Sequence, residues 1–203
     1  IFTVINNGRD IPGSLDSAIL SANGGANTDN IIEFIPDDLE FLTLTLGQDA
    51  PLPEIDLQLL DPGTERQVTL DATGTISFWI TTAEDVGADF VLLHVESGQA
   101  TLVDLDIFGS AQVDSEDVSS QFVVDADATL GFNYSFEYQI GDDINGEGSL
   151  VKEGDTLLDL LGVNTYTGGT QVLGGELRGH GEGIQGNISV AKDAALTWKD
   201  DAI

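Results

Sequence analysis

The hydrophobic pattern predicts one helix near the start of the chain. Ser14 can cap this helix, and Asn23-Gly24-Gly25 can end it. Between these signals the apolar residues recur at helical spacing, at Leu15, Ala18, Ile19 and Ala22. Because one face of the segment is apolar, we expect it to cover an end of the fold.

After this helix the apolar residues come in short runs separated by Gly, Asp and Asn, a pattern that predicts strands and tight turns. The runs are 31–35, 42–46, 68–70, 75–80, 90–95, 102–108 and 122–124. Since no helical segment separates them, the pattern argues against crossover helices and leaves a sandwich, a barrel or a solenoid. Several runs lack hairpin dipeptides and recur roughly every 10 to 25 residues, which favours a solenoid of stacked strands.

The charge balance excludes several partners. The chain has 36 acidic and 6 basic residues, for a formal net charge of -30. Such a surface repels phosphate backbones and anionic lipids, so we expect no nucleic-acid partner. The acidity has two open explanations, a solubilised strand-rich surface or the collection of divalent cations. The absence of cysteine excludes disulfides, a thiol nucleophile and cysteine-bound zinc, and no apolar stretch is long enough for a spanning helix.

The run 13–19 is Gly-Ser-Leu-Asp-Ser-Ala-Ile, and Asp-Asn-Ile-Ile-Glu-Phe follows at 29–34. This order resembles the opening cap of secreted bacterial parallel β-helix proteins, in which a Ser-Leu-Arg-Glu-Ala-Ile type helix leads to an Asp-Thr-Ile type first strand. Here Gly13 stands where cysteine is frequent, and Asp16 and Ser17 replace the basic-acidic pair. The resemblance implies that the predicted helix is an N-terminal cap.

A second set of motifs lies toward the C-terminus. Gly-Glu-Gly-Ser-Leu-Val-Lys-Glu-Gly occupies 146–154, and Asn-Thr-Tyr-Thr-Gly-Gly-Thr occupies 164–170. These motifs resemble the passenger-associated strand repeat of bacterial autotransporters, with its Gly-Ser-Leu-x-Lys-x-Gly strand and Asn-x-Tyr-Thr-Gly-Gly-Thr turn. Asn164 and the Gly168-Gly169 pair suit a tight corner that needs positive φ.

The two resemblances imply an all-β fold, a right-handed parallel β-helix (β-solenoid) with a short N-terminal capping helix. They also imply a passenger fragment at the cell surface or outside the cell, exported through a C-terminal outer-membrane barrel of the parent chain. Residues 1–35 would form the cap, 36–145 the β-helix rungs, and 146–203 rungs with the autotransporter repeat. In that family the passenger crosses the outer membrane unfolded, and its C-terminal rungs fold first. A chain without cysteine is compatible with this route, because a disulfide formed in the periplasm would obstruct the passage.

The most unusual stretch is 132–140, where four aromatic residues and an isoleucine alternate with polar residues. On a single strand these five side chains would share one face. That face could pack into the core, or it could form a stacking platform for sugar rings, since flat aromatic faces bind the apolar faces of sugars. In the second interpretation Tyr134, Phe136 and Tyr138 are the ligand-binding residues.

Acidic residues offer two further candidate sites. Asp104 and Asp106 alternate with apolar neighbours and are predicted to point from one strand into solvent, where a carboxylate pair could bind calcium or cleave a glycan. Asp143, Asn145 and Glu147 imitate the first half of a calcium loop, but the closing glutamate is missing. A solvated acidic face is the alternative for both, and the prediction includes no metal site.

The two histidines, His94 and His180, have no neighbouring serine or carboxylate pattern of a catalytic triad. Phosphate loops, hydrolase elbows and zinc-protease motifs are also absent from the sequence. The six basic residues are too scattered in sequence to suggest the cluster that a polysaccharide lyase needs. We therefore predict no catalytic residues, no cofactor and no enzymatic activity.

The sequence thus predicts a rigid stalk and adhesin that attaches to a cell surface, a matrix or a glycan. Two alternatives stay open, an extracellular carbohydrate-active β-helix enzyme and a calcium-stiffened structural module. The final rung, with Leu196 and Trp198, offers an open end through which the chain could self-associate.

Overall fold

The computed structural model describes residues 1–4, 14–27, 29–34, 42–46, 51–57, 66–73, 78–82, 90–108, 121–181 and 183–199. In this part of the chain one helix, α1 (Leu15–Gly24), accompanies 18 strands. The first eight are β1 (Phe2–Val4), β2 (Asp29–Phe34), β3 (Leu42–Leu46), β4 (Ile55–Asp56), β5 (Gln67–Asp71), β6 (Phe78–Thr82), β7 (Val91–Val103) and β8 (Asp106–Phe108). The next five are β9 (Gln121–Val124), β10 (Ala128–Asn133), β11 (Tyr138–Ile140), β12 (Asp143–Gly146) and β13 (Ser149–Glu153). The last five are β14 (Leu157–Leu160), β15 (Gly169–Val172), β16 (Glu176–Gly179), β17 (Ile188–Val190) and β18 (Ala195–Trp198).

The strand predictions are largely confirmed. Residues 31–34 of the run predicted at 31–35, and the runs at 42–46, 68–70, 90–95 and 122–124, coincide with β2, β3, β5, the first part of β7 and β9. Gly13 and the first residues of the run predicted at 75–80 lie outside the described residues.

The predicted N-terminal helix is confirmed as α1. Ser14 is extended, and its Oγ accepts a hydrogen bond from the Ser17 N–H at 3.3 Å, as an N-cap does. The apolar face is buried where α1 contacts β1, β2 and β4; its side chains are Leu15, Ala18, Ile19 and Ala22. The helix therefore covers the strands that begin the fold.

A buried arginine holds the C-terminal end of α1. Arg66, which precedes β5, is 2% exposed. Its Nη2 donates to the carbonyls of Ala22 and Gly25, each at 2.8 Å. Its Nη1 donates to the Asn23 carbonyl at 3.3 Å, and its Nε donates to the Asn27 carbonyl at 3.1 Å. The guanidinium thus satisfies carbonyls at a helix end, where partial negative charge accumulates and the helix leaves acceptors unpaired.

Strand pairing is parallel throughout the described part of the chain. The longest series of paired strands, the long row, has the order β1-β2-β5-β7-β10-β13-β15-β17. The first part of β7 pairs instead with β4 and β9, and β9 pairs with β12. β7 therefore belongs to two series of strands at once.

Two smaller sheets, β3-β6-β8 and β11-β14-β16-β18, complete the described strands. Each of their strands comes next in the chain after a strand of the long row. The same succession of a long-row strand and a strand of a smaller sheet therefore recurs along the chain. The boundary predicted between residues 145 and 146 lies inside β12.

Apolar side chains in register fill the interior. Leu70, Leu102 and Phe132 stand opposite one another on β5, β7 and β10, and all three are buried. Leu158 and Leu177 do the same on β14 and β16. The interior therefore continues from strand to strand by repetition of the same inward position. The described residues include no helix that is long and apolar enough to cross a membrane.

Candidate binding site and the bonds between turns

The aromatic stretch 132–140 is not one strand, so the prediction that its aromatic side chains share a single face is wrong. The backbone leaves β10 after Asn133, bends through 134–137 and enters β11 at Tyr138. The alternation of aromatic and polar residues therefore continues across a corner, where successive side chains enter different environments.

Side chains from two neighbouring turns hold this bend. The Asp104 carboxylate accepts hydrogen bonds from the Ser135 N–H at 2.6 Å and from the Ser135 hydroxyl at 2.9 Å. The Thr156 hydroxyl donates to the Tyr134 carbonyl at 2.7 Å, and the Phe136 carbonyl lies 3.0 Å from the same oxygen. These contacts bind backbone N–H and carbonyl groups that would pair with a neighbouring strand if β10 continued.

Tyr134 lies inside the fold, which corrects its predicted role as a surface contact. The residue is 1% exposed, and its hydroxyl donates to the Leu105 carbonyl at 2.8 Å. Its ring stacks on Tyr138 with a centroid distance of 4.3 Å. Burial, together with Tyr138 and the carboxylates of Asp106 and Asp104, raises the pKa of Tyr134 well above its ordinary value. The ring is therefore buried and supports its aromatic neighbours.

Phe136 is the exposed aromatic residue of this group. It is 43% exposed, and its ring packs edge-to-face on Tyr134 at 5.7 Å and on Tyr138 at 6.1 Å. Tyr138 is half-buried, and its hydroxyl lies 3.5 Å from the Ile107 carbonyl. Burial and the nearby Asp106 carboxylate raise the pKa of Tyr138 far above its ordinary value. Of the three predicted ligand-binding residues, Phe136 has the exposed ring, and the half-buried ring of Tyr138 packs against it.

A cleft of about 430 Å³ lies beside this bend. It is formed at the ends of four long-row strands, and its lining residues are Thr73, Val103, Asp104, Asn133, Tyr134, Ser135, Gly154, Asp155 and Thr156. Hydroxyl and carboxylate groups dominate the polar part of this lining. Such groups exchange hydrogen bonds with a hydroxyl-rich ligand.

Local sequence patterns do not identify Thr73, Asp155 and Thr156 as members of this cleft. Their common signal is position, since each follows the end of a strand in the long row, as Asp104 does after β7. In a parallel series the C-terminal ends of the strands lie side by side, so residues at that position meet. That grouping could have been predicted only with the correct strand ends.

The carboxylate pair predicted at Asp104 and Asp106 does not lie on one strand, so this prediction is wrong. β7 ends at Val103, Asp104 has a φ of 49°, and β8 begins at Asp106. Both Asp104 oxygens accept hydrogen bonds from Ser135. Asp104 therefore orients the aromatic bend, while Asp106 lies near the Tyr138 hydroxyl.

The imitation of a calcium loop at 143–147 begins in strand β12. Asp143 Oδ1 accepts from the Val163 N–H at 2.7 Å. Asn145 donates from Nδ2 to Gln121 Oε1 and accepts at Oδ1 from the Thr165 hydroxyl, both at 2.6 Å. These side chains join neighbouring turns. The described residues contain no group of three or more histidine, aspartate or glutamate side chains that could hold a metal ion.

Asn164 of the Asn-x-Tyr-Thr-Gly-Gly-Thr turn joins three turns of the chain. It is 2% exposed. Its Oδ1 accepts from the Ile144 N–H at 2.7 Å, and its Nδ2 donates to the Gly183 carbonyl at 2.6 Å. One buried amide thus satisfies a backbone donor on one side and a backbone acceptor on the other.

The rest of this turn repeats the arrangement. The buried hydroxyls of Tyr166 and Thr170 lie 2.7 Å apart. The Gln185 N–H donates to the Tyr166 hydroxyl at 3.1 Å, and the Thr170 hydroxyl donates to the Gln185 carbonyl at 2.9 Å. Gly168 is required because a Cβ there would lie 2.6 Å from the Gly148 carbonyl oxygen. The motif residues therefore serve contacts between turns.

Lys152 of the Gly-Ser-Leu-x-Lys-x-Gly strand is buried between Phe132 and Val172 in the register. Its ammonium group donates to the carbonyl of Glu153, to the Gly154 carbonyl at 3.0 Å and to the Gly174 carbonyl at 3.3 Å. Burial lowers the pKa of Lys152, against the opposite effect of nearby carboxylates. The ammonium group therefore donates hydrogen bonds to backbone carbonyls of two successive turns.

The buried carboxylate of Asp159 forms ion pairs with two of the six basic residues. Asp159 Oδ2 accepts from Arg178 at 2.8 Å and lies 2.6 Å from Lys199 Nζ. Burial alone would raise the pKa of Asp159, but the hydrogen bonds and charges of Arg178 and Lys199 hold it below its ordinary value. This cluster ties β14 to β16 and to the residue that follows β18.

Both histidines also join neighbouring segments. His94 lies between two carboxylates, with Nδ1 at 3.1 Å from Glu54 and Nε2 at 3.2 Å from Asp125. His180 Nε2 lies 3.1 Å from the Leu161 carbonyl.

The chain is similar in sequence to a curated autotransporter protein. The neisserial autotransporter lipoprotein NalP, from two strains of Neisseria meningitidis serogroup B, is 33% identical to this chain over 128 residues. The match covers 61% of this chain and 10% of the relative, so the chain spans about a tenth of the relative's length. No protein-family model matches the chain, and no solved structure gives a significant match.

This similarity supports a relation to autotransporter passengers, as the C-terminal motifs predicted. It also supports the predicted location, an exported chain displayed at the cell surface. The type of repeat stays a prediction, since no family model covers it.

Proposed function

We propose that this chain is a passenger segment folded as a right-handed parallel β-helix, which serves as a rigid stalk and carries an adhesive site on its side. Two observations support the fold: parallel pairing in every described strand pair and the recurring succession of strands along the chain. The similarity to an autotransporter lipoprotein supports the passenger assignment.

The observation that carries the stalk role is the set of side-chain bonds between successive turns. These bonds join residues 19 to 22 apart in sequence, and they include those of Asn164, Thr156, Lys152 and Arg178. In a repeating fold, stability depends on the interface between each unit and its neighbour. Bonds that recur at this spacing oppose bending and local opening, which a stalk has to resist.

The adhesive site we propose is the cleft beside Phe136. An exposed aromatic ring stacks on the apolar face of a sugar, and the hydroxyls of Ser135 and Thr156 in the lining can bond sugar hydroxyls. The carboxylates of Asp104 and Asp155 accept from sugar hydroxyls and repel acidic sugars. We therefore assign the site to a neutral glycan of the cell surface or matrix, without a catalytic role.

A glycan array with the purified chain and two variants tests this assignment. We expect binding to neutral glycans in the presence of EDTA, and a loss of at least about tenfold in affinity for Phe136→Ala. Leu173→Ala is the matched control, because Leu173 is also a large apolar side chain and is 52% exposed elsewhere on the fold. Circular dichroism establishes that both variants fold.

Three results would contradict the adhesive role. The first is an array without neutral ligands, and the second is equal binding by Phe136→Ala and the unchanged chain. The third is binding confined to acidic glycans, which the carboxylates of the cleft should repel. The stalk role is tested separately by substitutions that remove contacts between turns, such as Asn164→Ala.

A further inference from the structure

The ring of His94 lies between two carboxylates that come from different turns of the fold. Its Nδ1 is 3.1 Å from Glu54, which precedes β4, and its Nε2 is 3.2 Å from Asp125, which follows β9. The side chain of His94 is 23% exposed, and its Nε2 is shielded from solvent. Each ring nitrogen therefore faces a carboxylate oxygen of its own.

The charge of this ring decides whether both contacts are attractive. A neutral imidazole carries one N–H and one lone pair, so either tautomer leaves a lone pair against a carboxylate oxygen. The imidazolium ion carries two N–H groups and attracts both carboxylates. Histidine changes between these two forms within the range of about pH 5 to 8. The arrangement therefore stabilises the protonated ring and opposes the neutral one.

The charged neighbours of this part of β7 are all acidic. It pairs with β4 on one side and with β9 on the other. The charged residues on or next to these strands are Glu54, Asp56, Glu96, Asp125 and Asp127. Asp56 accepts a hydrogen bond from the Ser97 hydroxyl at 3.0 Å. In the described part of the chain, the carboxylates in contact with the ring are those of Glu54 and Asp125.

The contact with Glu54 also affects α1, because β4 is joined to that helix. Asn23 of α1 donates from Nδ2 to the Glu54 carbonyl at 2.7 Å and accepts at Oδ1 from the Asp56 N–H at 3.2 Å. β4 has two residues, and its register with β7 is irregular. So short a strand contributes few ladder bonds and opens at a low free energy. An ion pair between Glu54 and His94 therefore holds β4, and α1 with it, on β7.

We propose that His94 and its two carboxylates form a pH-sensitive latch, which holds β4 and α1 on β7 at mildly acidic pH and loosens them as the pH rises toward 8. At the lower pH the protonated ring attracts both carboxylates. At the higher pH the ring loses its proton, and one of the two contacts becomes repulsive. The stabilisation is thus present at the lower pH and is lost as the pH rises. This latch does not depend on glycan binding.

Hydrogen exchange of the whole chain at about pH 5.5 and about pH 8 tests the latch. The rates are corrected for the pH dependence of intrinsic exchange. We expect the amides of α1 and β4 to lose at least about threefold in protection at the higher pH, as suits partly exposed ion pairs. The amides of β13 and β15, which are distant in the strand order, are the internal reference and should keep their protection.

Three variants separate the charge of the ring from its packing. His94→Gln should show low protection of α1 and β4 at both pH values, because it has no charge. His94→Arg keeps a cation throughout this range and should keep the protection at both pH values. His180→Gln is the matched control, since His180 Nε2 contacts the neutral carbonyl of Leu161 at 3.1 Å. This control should retain the pH dependence of the unchanged chain.

The unchanged chain tests the latch even if a variant fails to fold. Equal protection of α1 and β4 at the two pH values would overturn the proposal, as would an equal loss of protection in β13 and β15. Among the variants, a pH dependence that persists in His94→Gln, or one that disappears in His180→Gln, would also overturn it. Loss of protection at the higher pH in His94→Arg would contradict the role of charge, because arginine stays protonated.

Discussion

Substitution of Arg66 tests whether one side chain fixes α1 on the strands. Arg66→Met keeps much of the apolar stem and removes the four guanidinium hydrogen bonds to the carbonyls of Ala22, Asn23, Gly25 and Asn27. The buried Ala22 carbonyl then keeps only the 3.3 Å bond from the Gly25 N–H, and the Gly25 carbonyl loses its 2.8 Å bond from Arg66. We expect the free energy of unfolding to fall and α1 to open before the rest of the fold.

The magnitude follows from the geometry of these bonds. The two Nη2 bonds are 2.8 Å long, whereas the Nη1 and Nε bonds are 3.3 and 3.1 Å long. A hydrogen bond to a charged group contributes about 1.5–3 kcal/mol. If each Nη2 bond contributes about 1.5 kcal/mol, and water replaces the Nη1 and Nε bonds at no net cost, the loss is about 3 kcal/mol. For a chain of this size, this loss lowers Tm by about 6–12 °C.

Urea unfolding followed by circular dichroism measures the loss, and hydrogen exchange of the α1 amides locates it. Lys192→Met is the control, because Lys192 is exposed and its removal changes the net charge equally. Arg66→Lys should recover part of the stability, since an ammonium group donates but lacks the planar fork. A loss below about 1 kcal/mol for Arg66→Met, or one equal to that of Lys192→Met, would refute the reasoning.

Three further substitutions test the contacts between turns. Asn164→Ala leaves a buried N–H and a carbonyl unpaired and should lower the free energy of unfolding by about 2–4 kcal/mol. The control Asn187→Ala, at an exposed position, should change this free energy by less than about 0.5 kcal/mol. Equal losses for the two variants in urea titrations would contradict the role of Asn164. Because the pKa of Asp159 is lowered in the fold, its stabilisation is present above about pH 4 and is lost as the pH falls through the folded pKa. Asp159→Asn should therefore flatten the acid limb of a plot of unfolding free energy against pH, and parallel curves would argue against this role. Because the pKa of Tyr134 is raised, the folded state keeps a proton that the unfolded chain releases above about pH 10, so stability falls there. Tyr134→Phe should reduce this alkaline loss, and an unchanged slope between pH 9 and 11 would count against the buried hydroxyl.

Local sequence was enough for the elements whose signals are themselves local. Ser14 and the helical spacing that follows predicted α1, because the cap bond to Ser17 and the apolar face involve neighbouring residues. Alternation likewise predicted β3, since a half-buried strand records its two faces in period two, and a short apolar run predicted β9. The Asn-x-Tyr-Thr-Gly-Gly-Thr turn was also visible in the sequence, although its bonds to neighbouring turns were not.

Contacts between distant residues decided the rest. Alternation predicted one strand over 132–140. The side chains of Asp104 and Thr156, 20 to 31 residues away, instead form hydrogen bonds with its backbone and hold a bend. In this bend Tyr134 is buried and Phe136 is exposed. Arg66 counted in the sequence only as a scattered basic residue, yet it holds carbonyls 39 to 44 residues away. Periodicity records which side chains can share a face. It does not record which backbone groups a neighbouring turn will bind, because that depends on how the strands stack.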